Sequence, residues 1–209
     1  AYAVSWHTAM NAANRGRDAA AVQQDEQQWL AAAVSTEVTA SPMGRFDLAS
    51  GMRPVTFRAA AYETEAQAAA AAGLIPVRIA ATDMRWPEPA AIDAFLAFYD
   101  ELPSDAWLHF HCQAGKGRTT IYMAMYDMMK NPDISLEDIL SRQYLLGGNY
   151  IAYEMDKPKP NQWKAAYYHE KAAMIAKFYQ YVQETHTNHF TMRWSRWLKS
   201  HLTMEDASP

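Results

Sequence analysis

The stretch Ala106-Trp107-Leu108-His109-Phe110-His111-Cys112-Gln113-Ala114-Gly115-Lys116-Gly117-Arg118-Thr119-Thr120 decides how this chain folds. Its first five residues form a short apolar run with strand character. The residues from Thr119 to Lys130 are rich in Met and Tyr and read as a buried helix that Asn131-Pro132 ends. Between strand and helix stand a Cys and an Arg six positions apart, with Gly115 and Gly117 between them. Glycines allow so short a loop to wrap until successive N–H groups point at one centre. The helix that follows adds the partial positive charge of its N-terminus. That environment suits a phosphoryl dianion and favours the thiolate of Cys112 over its thiol. Arg118 is then the planar fork that holds two phosphoryl oxygens, and Gln113, Ala114, Gly115, Lys116 and Gly117 form the cradle. The nucleotide-binding loop Gly-x-x-x-x-Gly-Lys requires Ser or Thr after the lysine; Gly117 follows Lys116, so that pattern is excluded.

A thiolate that attacks phosphorus needs an acid to protonate the departing oxygen. Asp83 is the candidate, in Ala81-Thr82-Asp83-Met84-Arg85-Trp86-Pro87, where Trp86-Pro87 can hinge the loop; a turn-forming Asp is the other reading. Thr119 can hydrogen-bond the sulfur or cap the helix, and His111 can tune the thiolate or fill a core position. Gln143 can position water or lie on a solvated helix face.

Outward from the loop, the periodicity predicts helices over 14–33, 63–72 (closed by Gly73), 90–101 and 163–184, and one after Ser135 with Asp138 in an approximate capping box. It predicts strands over 35–40, 75–80 and 106–110, extended chain over 53–60, loops at Gly147-Gly148 and Pro158/Pro160, and a Trp-rich tail at 194–198 that packs back on the body. Helices alternating with short apolar strands indicate an α/β sandwich.

The chain has 209 residues, half of them apolar, which fits a single domain over 1–209. No run of eighteen apolar residues occurs, so no membrane span is expected. A net charge of −4 argues against a nucleic-acid partner. The single cysteine rules out an intrachain disulfide and a four-cysteine zinc site. Ala1 to Ala3 carry no signal-peptide features, as expected of a cytosolic chain or of a mature or trimmed one.

The motif His-Cys-x5-Arg-Thr resembles the protein tyrosine phosphatase superfamily. More specifically, the chain resembles the bacterial protein-tyrosine-phosphatase-like phytases through Arg78 to Asp83, Trp86-Pro87, Phe95 to Tyr99, Asp105 to Cys112, Gly117 to Thr120, Arg142-Gln143, Gly147-Gly148, Trp163-Lys164, Tyr167-Tyr168 and Trp197 to His201. The resemblance implies a central mixed, mostly parallel sheet flanked by helices. It implies stepwise, metal-free and cofactor-free hydrolysis of myo-inositol hexakisphosphate through a phosphocysteine, with Cys112 as nucleophile, Asp83 as acid, Arg118 as phosphate binder and Lys164 on a second phosphate. It also implies a secreted or periplasmic place. The expected partner is thus an inositol polyphosphate, and Arg85, Lys116, Lys157, Lys159 and Lys164 are the cations available to it. Met84 stands where relatives often carry His, and Asn11 where some carry Asp. A basic pair of relatives is missing near Gly44-Arg45-Phe46-Asp47, as are the upstream strand and small β-barrel segment. Those gaps are expected of a trimmed form, a fragment or one unit of a longer tandem protein. The rival readings are a phosphotyrosine or phosphoinositide phosphatase and a catalytically weak phosphate-binding unit.

Overall fold

The computed structural model describes residues 2–3, 19–42, 53–153 and 164–205. Asn11, the 44–47 segment, Lys157, Lys159, Pro158, Pro160 and Trp163 lie outside them. The chain divides into two compact units, Ala1–Ala80 and Ala81–Pro209.

The first unit holds a three-stranded antiparallel sheet in the order β1 (Tyr2–Ala3), β2 (Glu37–Pro42), β3 (Val55–Arg58). Glu37 pairs with Arg58 and Ala40 with Val55, and the hydroxyls of Thr39 and Thr56 meet across the ladder at 2.8 Å. Val38 and Ala40 point to the buried side of β2. Helix α1 (Ala19–Ala33) buries Val22, and Glu26 on it accepts a hydrogen bond from Arg78. Helix α2 (Glu65–Ala71) opens with a capping box between Thr64 and Gln67. It closes as the sequence predicts, on Gly73 at φ 78°: the N–H of Leu74 reaches Ala69 O and that of Gly73 reaches Ala70 O.

The second unit is helical among its described residues: α3 (Pro89–Asp100), α4 (Gly117–Lys130), α5 (Leu136–Leu145), α6 (Ala165–Thr185) and α7 (Trp194–Glu205). Helix α4 is central and packs on both α5 and α6, while α7 covers α3. Ile121, Met125 and Met128 of α4, Ile139 of α5 and Ile175 and Phe178 of α6 are all buried in the core of this unit. The Trp-rich tail does pack back. Trp194 and Trp197 are fully buried, stacked on each other at 5.4 Å and set against Phe178 and Tyr181. Ser135 caps α5, its Oγ accepting from the N–H of Asp138 and donating to that residue's carboxylate.

The central parallel sheet does not emerge among the described residues. Neither 75–80 nor 106–110 carries a ladder; Ile75 is 91% and Trp107 79% exposed, while Phe110 packs on Phe95 and Tyr126. A short apolar run alone does not make a strand; the backbone amides need a partner edge, and the side chains a covering layer.

Candidate active site

The site is built on the turn from 111 to 117. Gly115 adopts φ 67°, a left-handed conformation that a side chain at that position would strain. The turn delivers the chain into α4 at Gly117, with Lys116 as a cap that makes no side-chain bond. Cys112 is half-buried and free. Burial by itself pushes its thiol up. The hydroxyl of Thr119 and the N–H groups of Thr119, Ala114 and Lys116 outweigh that and bring it down to about 7. Thr119 Oγ1 is buried with no other hydrogen-bond partner.

Arg118 donates from Nη1 to the carbonyl of Ala81 at 3.2 Å, and its Nε lies 3.3 Å from Asp83 Oδ1. Thr119 thus faces the Cys112 sulfur, and Arg118 beside it brings in Asp83 from 35 positions earlier in the chain. His111 takes a different position: it is exposed and its ring stacks at 5.7 Å on His109. Gln113, Ala114, Gly115 and Lys116 are exposed along the turn. Arg85 is bound to Glu170 of α6, Nη2 donating to Oε1 at 2.7 Å and Nε to Oε2 at 3.2 Å. Trp86 and Pro87 are both buried, so they anchor the segment where the sequence suggested a hinge. Trp86 packs on Phe178 of α6 and Trp194 of α7.

Sequence reading missed several residues around this site. Lys171 is 7% exposed, with its ammonium 4.6 Å from the Tyr168 ring centroid. Burial pushes its pKa down and Lys164 adds to that, against the charges of Asp83 and Glu170, which favour the ammonium. The spacing Lys164–Tyr168–Lys171 is i, i+4, i+7, one helical face, and would have pointed to it. Thr120 is another omission. Its hydroxyl donates to the carbonyl of Lys116 in the turn and accepts from the N–H of Asn149 at 3.1 Å. Gly148 lies so close that a Cβ there would meet Thr120 Oγ1 at 2.7 Å and Gln143 O at 2.8 Å. Gln143 is buried rather than solvated and donates to Asp127 Oδ2 at 3.0 Å. Arg142 donates to both Asp127 oxygens, its Nε at 2.6 Å. Helices α4 and α5 are tied together behind the turn by these bonds.

Among the described residues no three His, Cys, Asp or Glu side chains converge as a metal site would need, and no helix is long and apolar enough to cross a membrane. The arrangement can hold a tetrahedral oxyanion over an ionised sulfur, with a cation and a carboxylate beside it.

A family model for protein-tyrosine-phosphatase-like phytases, described by inositol hexakisphosphate, matches residues 3–130. The solved tandemly repeated protein tyrosine phosphatase-like phytase from Mitsuokella multacida is 55% identical, with a TM-score of 0.81 over 89% of this chain and 31% of that one. A structure of the Mitsuokella multacida PTP-like myo-inositol phosphatase in complex with myo-inositol-(1,3,4,5)-tetrakisphosphate is 54% identical, with a TM-score of 0.82 over the same shares. A PTP-like phytase from Bdellovibrio bacteriovorus is 29% identical, with a TM-score of 0.73 over 92% of this chain and 67% of that one. Among curated proteins, the uncharacterized protein AvrBs1.1 of Xanthomonas campestris pv. campestris is 29% identical over 99 residues, 47% of this chain and 93% of that protein. The chain therefore spans about a third of the length of the Mitsuokella chains it matches.

Proposed function

The chain belongs to the protein-tyrosine-phosphatase-like phytases, and we propose that it hydrolyses myo-inositol hexakisphosphate stepwise through a phosphocysteine. The observation that carries this reading is the Cys112 sulfur faced by the Thr119 hydroxyl and the turn N–H groups, which favour the thiolate, together with the Arg118–Asp83 pair at the head of the same helix. In the first step the Cys112 thiolate attacks phosphorus; the S–P bond forms as the P–O ester bond breaks. Asp83 passes its proton to the departing inositol oxygen. In the second step the Asp83 carboxylate takes a proton from water as that water attacks phosphorus. Inorganic phosphate leaves, and the sulfur departs as thiolate, stabilised by Thr119. Arg118 and the turn amides follow the charge of the phosphoryl oxygens throughout.

A hexakisphosphate needs cations beyond Arg118. Lys116 in the turn and Lys164 at the start of α6 supply them, with Lys159 completing the set; Arg85, expected among them from the sequence, is engaged by Glu170 instead. The Mitsuokella phosphatase solved with an inositol tetrakisphosphate supports an inositol polyphosphate as the substrate class. The fold that goes with the reading is one phosphatase domain with a central mixed, mostly parallel sheet, supported by the likeness to the solved PTP-like phytases.

Quenching the protein with acid during turnover of the hexakisphosphate, then mapping peptides by mass, tests the intermediate. One added phosphoryl group on the Cys112 peptide is expected. Turnover with no modified Cys112 would overturn it.

A further inference from the structure

Arg85 lies two residues beyond Asp83 in a segment with neither helical nor ladder bonds. Between them Met84 sits at φ 65°, a left-handed conformation that a non-glycine residue rarely adopts. The turn that presents Asp83 thus contains one unfavourable backbone position. On its far side two contacts hold it to α6: the bidentate Arg85–Glu170 pair, and the buried indole of Trp86 on Phe178. Both members of the ion pair have side chains about a third exposed or less, 32% and 28%. Glu170 also precedes Lys171, the buried ammonium within reach of the Asp83 charge.

We propose that Arg85 and Glu170 are a positioning pair that locks the acid segment onto α6, fixing Asp83 where it meets the leaving oxygen. The inference rests on the phosphatase reading above and deepens it: Arg85 acts on the protein's own loop rather than on substrate. A bidentate guanidinium–carboxylate pair fixes orientation as well as distance, which a lysine in its place does not. Proton donation is sensitive to small displacements of the donor.

The test uses leaving-group dependence. Esters with acidic leaving groups depart with little help from an acid, whereas alkyl phosphates need the proton. We would measure kcat/KM over a series of aryl and alkyl monophosphates for wild type, Arg85→Ala, Arg85→Lys, Glu170→Gln, Asp83→Asn and the double variant Glu170→Gln/Asp83→Asn. Thermal unfolding would be followed in each. The expected result is a loss of about tenfold or more on alkyl phosphates for Arg85→Ala and Glu170→Gln, a fraction of what a general acid contributes. Loss on p-nitrophenyl phosphate stays within about twofold, Arg85→Lys recovers only part, and Glu170→Gln costs nothing further once Asp83 is Asn. An equal loss across the series, no loss at all, or a full additional loss in the double variant would overturn the positioning role. If a destabilised Arg85→Ala does not fold, Arg85→Lys and Glu170→Gln decide the matter alone. Wild type inactive on the whole series, with no phosphocysteine formed, would overturn the phosphatase reading itself.

Discussion

Asp83 Oδ1 lies 3.3 Å from Arg118 Nε, an ion pair between the proposed proton donor and the phosphate clamp. Arg118 Nε makes no hydrogen bond along its N–H direction, so the contact is electrostatic and off-line. An incoming phosphoryl dianion carries more charge than a carboxylate and competes for the same guanidinium.

Removing that competitor has two opposite effects. Asp83→Asn is expected to bind inorganic phosphate several-fold more tightly while losing about 10²- to 10³-fold in turnover. Product-inhibition constants and kcat measured on one preparation check both. Weaker phosphate binding in Asp83→Asn would show that the ion pair does not restrain Arg118.

The Cys112 thiol, brought down to about 7, gives a direct pH dependence. A lowered thiol pKa means that the reactive form grows as pH rises through 7 and is complete above it. Alkylation by iodoacetamide should therefore show a midpoint near 7. Thr119→Ala removes a hydrogen bond to the charged form, worth about 1.5–3 kcal/mol, and should raise that midpoint by about one unit or more. An unchanged midpoint would remove Thr119 from the sulfur's environment.

Gly148 is the tightest point behind the turn. A Cβ there would meet Thr120 Oγ1, Thr120 Cγ2 and Gln143 O, all below 3.0 Å. Gly148→Ala should destabilise the protein by about 1–3 kcal/mol. Because Thr120 holds the Lys116 carbonyl, it should also slow turnover. Urea unfolding and steady-state rates read the two effects. A Gly148→Ala protein of full stability would contradict the packing described.

Lys164 is expected to contact a phosphate other than the one being cleaved. Lys164→Gln should raise KM for the hexakisphosphate about tenfold or more, as one charge-assisted bond is lost. KM for an aryl monophosphate should hardly change. Equal rises for both substrates would place Lys164 at the reacting phosphate or at a purely structural contact.

The candidate site was legible because its residues are local: a cysteine, two glycines, an arginine and a helix N-terminus fall within a few residues of one another. Gly73 and the Trp194/Trp197 tail were legible for similar reasons, one through backbone conformation and the other through strong apolar character. What escaped the sequence is long-range. Arg85 looked like a substrate cation because it neighbours Asp83; its actual partner is Glu170 on α6, 85 positions away. Trp86-Pro87 looked like a hinge because Pro punctuates loops, yet burial against α6 and α7 makes it an anchor. Gln143 looked solvated on a helix with charged neighbours, and the Asp127 network draws it inside. The ladders expected for 75–80 and 106–110 depend on partner edges, which a short apolar run does not reveal.

The most direct test of the central claim is metal-free phosphate release from myo-inositol hexakisphosphate by wild type, Cys112→Ser and Asp83→Asn. The account predicts turnover in the presence of a chelator, abolished by Cys112→Ser and strongly slowed by Asp83→Asn. No release by folded wild type, or release that survives Cys112→Ser, would contradict it.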